Sequence, residues 1–320
     1  MFGIGELEAA AETVHRAMPP TPQYAWPLLG ARAGCEVWVK HENHTPIGAF
    51  KVRGGLVYIE DLARRGCSGI VTATRGNHGQ SIPFAARAHG IPVTVFVPEG
   101  NAEEKNRAME AWGARLVVSG HDFEAARRAS VAFAEEEGLH LVPSFHPLLV
   151  RGVATYALEL FRAAPDLDAV YVPIGLGSGI CGLIRTRDLL GLSTEIVGVV
   201  SEAADAYALS FEAGRPVETG TARTFADGMA CRVPVPEAVE AINAGAARVL
   251  RVSDDEIADA IRALWRDTHN PSEGAGAAPF AALMQERGRM AGRRAAAILC
   301  GANIDTGWFA QVLAGSAPRP

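Results

Sequence analysis

The chain has 320 residues, and a hydrophobic fraction of 48% beside 21% charged residues excludes a disordered or fibrous protein. At roughly 150 residues per domain, that length suggests about two domains or one large α/β unit. A net charge of −6 excludes a surface built for nucleic acid.

In chain order, short β-rich runs alternate with longer helical ones. An amphipathic N-terminal stretch leads into an extended, proline-rich entry at Pro19–Pro22. Strands are predicted at Glu36–Lys40, Gly69–Ala73, Val93–Val97, Arg115–Ser119, Ala169–Ile174, Ile196–Val200 and Ala295–Leu299. Several are apolar on both faces, the mark of strands inside a parallel sheet. Helices are predicted at Val52–Arg65, Gly79–His89, Ala102–Trp112, Asp122–Glu137, Leu148–Arg162, Ile180–Leu190, Asp254–Asp267 and Ala275–Met290, with a frayed tail at Ala314–Pro320. Strand-then-helix repetition predicts an α/β fold with a mainly parallel sheet.

Five scattered cysteines without a C-x-x-C pair suggest neither a disulfide framework nor a metal site. The N-terminus lacks the basic start and apolar core of a signal peptide. No apolar run approaches the ~20 residues that span a bilayer. A cytoplasmic protein without membrane contact is expected.

In open α/β sheets, ligands bind where strand ends lead into helix N-termini, and four segments at such joints carry chemistry. In Lys40–Gly55, Lys51 follows Phe50 at a predicted helix start. There the positive end of the helix dipole favours a neutral, nucleophilic amine suited to a Schiff base. In isolation such a lysine is an ordinary surface residue. In Thr74–Gln80 two glycines permit a tight turn, while Asn77 and His78 offer directional polar contacts. Taken alone, this segment reads equally well as a capped surface turn. Gly175–Gly182, after a strand, alternates glycines with Ser178 and forms a nest of N–H donors for a phosphate. It completes neither a Walker loop nor G-x-G-x-x-G. The fourth segment is Cys300–Asp305, at another strand end. Its cysteine is either a plain core residue or a hydrogen-bonding partner for a heterocyclic nitrogen. Together the four segments ask for a ligand with a carbonyl, a phosphate and a polar ring. Pyridoxal 5′-phosphate meets all three demands.

From about Thr21 to Asp305 the chain resembles the fold-type II pyridoxal-phosphate enzymes of the threonine/serine dehydratase and serine racemase group. Ala49-Phe50-Lys51 is similar to the family's Ser-Phe-Lys, and Thr74-Arg75-Gly76-Asn77-His78 to its Ser-Ser-Gly-Asn-His. Gly175–Gly179 resembles its phosphate loop, and Cys300-Gly301-Ala302-Asn303 its Ser-Gly-x-Asn. Glu273–Ala277 is similar to the Glu-Gly-Ala-Gly-Ala element of catabolic dehydratases, and Ala226-Asp227-Gly228 to a further recurring element.

The resemblance implies a tryptophan synthase β-like fold with two open, twisted, mainly parallel sheets. A large cofactor domain (1–68 and 145–320) and a small mobile domain (69–144) are expected, in a homodimer. It implies Lys51 as the catalytic residue. Phe50, Lys51, Asn77, Gly175, Leu176, Gly177, Ser178, Gly179, Gly228, Glu273 and Cys300 are implied around the cofactor. Thr74, Arg75, Asn77 and His78 are implied around the substrate carboxylate.

There are four departures from the family pattern. Arg75 stands where racemases carry a catalytic serine, which argues against racemisation. No acid follows the Ile196–Val200 strand in register for a cation; Glu202 and Asp205 are displaced, and no metal is expected. A thiol at Cys300, expected neutral in apolar surroundings, replaces the usual hydroxyl. Finally, no regulatory domain is expected after Asp305.

The implied activity is β-elimination on L-threonine or L-serine, giving a 2-oxo acid and ammonia. Alternatives are a bulkier or acidic β-hydroxy amino acid (phenylserine, 3-hydroxyaspartate) and β-replacement of the cysteine synthase type. A binding protein with a dead site is a further class, disfavoured by the presence of Lys51, Asn77 and the phosphate loop together.

Overall fold

The computed structural model describes residues 2–319. Among them ten strands form: β1 (Gln23–Ala25), β2 (Glu36–His41), β3 (Ile70–Ala73), β4 (Val93–Val97), β5 (Ala114–Val118), β6 (His140–Leu141), β7 (Ala169–Pro173), β8 (Glu195–Ser201), β9 (Arg248–Val252) and β10 (Arg294–Leu299). The chain divides into two compact units. The first holds residues 20–44 and 154–319 with the described N-terminal residues 2–4; the second holds 5–19 and 45–153.

The first unit contains a six-stranded sheet in the order β1-β2-β10-β7-β8-β9. Only its edge strand β1 is antiparallel; every other pairing is parallel. Central strands β7 and β10 are buried almost throughout, as a sheet covered on both faces requires. Lys40 of β2 is fully buried, and its Nζ lies 2.6 Å from Glu159 Oε2, 2.8 Å from the Thr21 carbonyl and 2.7 Å from Gln23 Oε1. A buried ammonium survives only with such partners, so this lysine is locked in place.

The second unit contains a four-stranded parallel sheet in the order β5-β4-β3-β6. All five residues of β4 are buried. The unit reaches beyond the expected 69–144 and takes in the helix Lys51–Arg64 and the helix Pro147–Val153. Glycines are the physical reason. A Cβ on Gly54 would lie 2.9 Å from the Leu149 carbonyl oxygen, and one on Gly152 would lie 2.3 Å from that of Arg53. With those positions bare, the two helices pack backbone to backbone.

Two further expectations change. The stretch read as one helix over Leu148–Arg162 is two, Pro147–Val153 and Thr155–Ala163, parted at Ala154 where the chain leaves the second unit. The C-terminal tail, read as frayed, is held up to Arg319: Gln311 Nε2 donates to the Ala317 carbonyl at 3.1 Å, and Arg319 pairs with Asp255. Pro320 lies outside the described residues. Among the described residues no helix is long and apolar enough to cross a membrane.

Candidate active site

The residues singled out in the sequence fall on both units. Phe50, Lys51 and Thr74–His78 belong to the second; Gly175–Gly179, Gly228, Glu273 and Cys300 belong to the first.

In the second unit, Lys51 is the first residue of the helix Lys51–Arg64, with Phe50 at the cap. Its Nζ lies 5.3 Å from the centre of the Phe50 ring. The helix after β3 begins at Asn77, two residues earlier than expected, so Asn77 and His78 occupy its first turn. Thr74 is buried, and its Oγ1 accepts from the Gly76 N–H at 3.2 Å. Arg75 is exposed. Gly79 admits no side chain, since a Cβ there would meet Met109 Sδ at 2.4 Å and Thr74 Cγ2 at 2.5 Å. His78 is buried, and its Nε2 has no hydrogen-bond partner. Burial, with the charge of Lys51 adding to it, pulls the His78 pKa down to about 3. The ring is therefore neutral. Ser81, which the sequence did not flag, donates from Oγ to the Lys51 carbonyl at 2.7 Å.

In the first unit, the loop after β7 runs into the helix Ser178–Leu189. Gly177 sits at φ +97°, where a side chain is strained. A Cβ on Gly175 would lie 2.3 Å from the Gly228 carbonyl oxygen. Two buried tyrosines brace the loop. Tyr207 Oη donates to the Leu176 carbonyl at 2.9 Å, and Tyr156 Oη to that of Gly179 at 3.1 Å. Neither adjoins the loop in sequence, so no local signal marked them. Among the described residues, the N–H groups of residues 175–179 have no protein acceptor. Five successive donors at a helix start make a cradle for an anion.

Cys300 follows β10 and is buried, but its surroundings are not apolar as expected. The carboxylate of Glu273, itself buried, brings Oε1 within 4.0 Å of Sγ. Asp205, one of the two acids displaced from the cation register, is engaged by Arg251 at 2.9 Å.

The sequence pattern of the pyridoxal-phosphate dependent enzymes matches residues 14–301. The L-threonine ammonia-lyase of Geobacter sulfurreducens is 36% identical over 276 residues, covering 86% of this chain and 69% of that one. The L-threo-3-hydroxyaspartate ammonia-lyase of Saccharomyces cerevisiae is 27% identical over 318 residues, covering 99% and 98%. Among solved structures, the processed form of threonine deaminase isoform 2 from Solanum lycopersicum superposes with a TM-score of 0.90 at 26% identity, covering 98% of this chain and 95% of that one.

Proposed function

The chain belongs to the pyridoxal-phosphate dependent enzymes, with the fold-type II architecture, and from that premise we propose that it is an ammonia-lyase acting on a β-hydroxy amino acid such as L-threonine or L-serine. The products are a 2-oxo acid and ammonia. The observation that carries the reading is the loop 175–179, with its five unengaged N–H groups and its Gly175–Gly228 contact too close for any side chain. These features fit the phosphate of the cofactor.

When bound, pyridoxal 5′-phosphate supplies a carbonyl for an amine and an electron sink beside the substrate α-carbon. In this proposal Lys51 would hold it through Nζ, and the 175–179 amides would hold its phosphate. Asn77 would meet the phenolic oxygen and Cys300 the ring nitrogen, with Phe50, Gly228 and Glu273 lining the place. Once the substrate amine has displaced it from the cofactor, the freed Lys51 Nζ would take the α-proton as general base. Thr74, Arg75, Asn77 and His78 would receive the substrate carboxylate. His78 enters as a neutral donor or acceptor because burial refuses it a proton. Mobility of the second unit, a cytoplasmic address and a homodimer belong to the same proposal. Light scattering reads the last as a particle of twice the 33.8 kDa chain mass.

One observation favours a second reading: Arg75 is exposed in the substrate loop and would suit an acidic substrate such as 3-hydroxyaspartate. A panel of L-threonine, L-serine, phenylserine and 3-hydroxyaspartate, followed by 2-oxo acid release, separates the two. Highest kcat/KM on threonine or serine is expected; a preference of more than tenfold for 3-hydroxyaspartate selects the second reading. Adding a thiol should not divert product; a thioether product would establish β-replacement instead.

A further inference from the structure

Glu273 is 4% exposed, and the backbone is shaped around its carboxylate. A Cβ on Gly301 would lie 2.9 Å from Oε1 and 3.1 Å from Oε2, and one on Gly228 would lie 3.6 Å from Oε1. Gly301 follows Cys300 directly, and its carbonyl accepts from the Glu273 N–H at 3.1 Å. Glu273 and Gly301 are thereby held side by side. In this arrangement the Cys300 thiol is the donor and Oε1 the acceptor, 4.0 Å apart.

A thiol has one proton to give. Directed at a carboxylate, that proton makes the stronger, charge-assisted bond. Sγ then presents lone pairs on its other side. A ring nitrogen lying there meets an acceptor, and it can satisfy that acceptor only by carrying a proton itself. A thiol without the carboxylate would instead donate to an unprotonated nitrogen.

Resting on the placement of Cys300 at the cofactor ring nitrogen proposed above, we infer that Glu273 is a positioning residue acting through Cys300: it holds the thiol proton, so that Sγ accepts from a protonated ring nitrogen. The ring nitrogen takes up its one added proton from solvent, and neither the thiol nor the carboxylate changes its own protonation. The ring N–H donates to Sγ, the S–H donates to Oε1, and the buried carboxylate acquires a cationic counterpart two hydrogen bonds away. A protonated ring is the stronger electron sink, which assists removal of the α-proton.

Two measurements on the full chain test this. The first is the infrared S–H stretch of Cys300, isolated by subtracting the Cys300→Ser spectrum, in the protein without cofactor. The band is expected at lower frequency in the parent than in Glu273→Gln; an unmoved band overturns the pairing. The second is the ¹⁵N shift of bound pyridoxal 5′-phosphate labelled at the ring nitrogen. The protonated-to-unprotonated ratio is expected to fall about tenfold in Glu273→Gln at constant pH, the effect of losing one charge-assisted hydrogen bond. A ring signal that responds to Cys300→Ser but not to Glu273→Gln overturns the relay. If the thiol band moves while neither variant alters the ring signal, the placement of Cys300 at the ring fails instead. If Glu273→Gln does not fold, Glu273→Asp keeps the charge but shortens its reach, and the same rise in S–H frequency is expected. An unmoved band there also overturns the proposal.

Discussion

The Ser81 hydroxyl donates to the backbone carbonyl of Lys51 at 2.7 Å, and Gly55 leaves that hydroxyl its space, since a Cβ at Gly55 would lie 2.2 Å from Ser81 Oγ. One hydrogen bond thus ties the helix Asn77–Arg87 to the first residue of the helix Lys51–Arg64. Lys51 and the 74–78 segment are thereby set relative to each other within the second unit.

Ser81→Ala should remove that tie at a stability cost of about 1 kcal/mol. Because a small displacement of a reacting amine is costly to rate, kcat should fall roughly tenfold with KM little changed. Steady-state kinetics beside a thermal melt checks both. A fall in Tm with kcat intact would make Ser81 a stability residue alone.

Lys51→Ala should abolish turnover while the protein still folds. Borohydride reduction of the parent should fix cofactor mass on the peptide carrying Lys51 and leave none in the variant. Lys40 is excluded as carrier by its burial and its three short contacts with Thr21, Gln23 and Glu159. An adduct mapped to Lys40 or Lys105 would reassign the site.

Lys51 and the 175–179 loop were legible in the sequence because their signals are local: glycines and polar residues directly after apolar strands. β9 was not. Its Arg248 and Arg251 stand three apart, so they break both a continuous apolar run and a period of two, and the strand sits at the sheet edge, where a continuous apolar run is not needed. Strands of two or three residues such as β6 and β1 carry no period to read. Ser81 with Lys51, and Glu273 with Cys300, are separated by 30 and 27 positions, so only the fold reveals either pair. The extent of the second unit was missed because nothing local sets Gly54, Gly55 and Gly152 apart from other glycines within predicted helices. Their role as contact surfaces appears only once their neighbours are placed.

Gly177→Ala should cost the cofactor more than the fold. At φ +97° an alanine is strained by roughly 1–2 kcal/mol, and its Cβ would lie 2.7 Å from that of Ala238. The loop can relieve both by rotating its amides, which are the groups assigned to the phosphate. Fluorescence titration of the protein freed of cofactor should show Kd for pyridoxal 5′-phosphate raised at least tenfold. Unchanged affinity would remove the loop from the phosphate site.

Acid should destabilise the protein through two buried histidines. Burial pulls His78 to about 3, and burial with the charge of His44 pulls His41 to about 4. Above the ordinary value near 6.5, both are neutral in either state and contribute no slope. Below it, the unfolded chain takes up protons that the folded chain refuses, so stability falls as pH falls, down to the folded values. At pH 5 the loss is on the order of 2 kcal/mol per histidine. Urea unfolding at pH 7.5 and pH 5 should show it, and His78→Asn should flatten the difference by about half. An equal pH difference in that variant would mean His78 is protonated in the folded protein.

Arg75 is expected to decide the stereochemical fate of the substrate. It is exposed, in the 74–78 segment that the proposed function assigns to the substrate carboxylate. It occupies the position where the racemases that this chain resembles place a serine. A guanidinium does not exchange protons at neutral pH, so it cannot return one to the second face of the α-carbon. The parent should therefore consume L-serine without forming D-serine. Arg75→Ser supplies a hydroxyl that can carry a proton, and D-serine carrying α-deuterium should appear while 2-oxo acid release persists. Chiral chromatography and mass spectrometry on partly consumed L-serine in heavy water measure both. D-serine from the parent at a rate near that of elimination would show that another residue reaches the second face, and Arg75 would then be only a binding group.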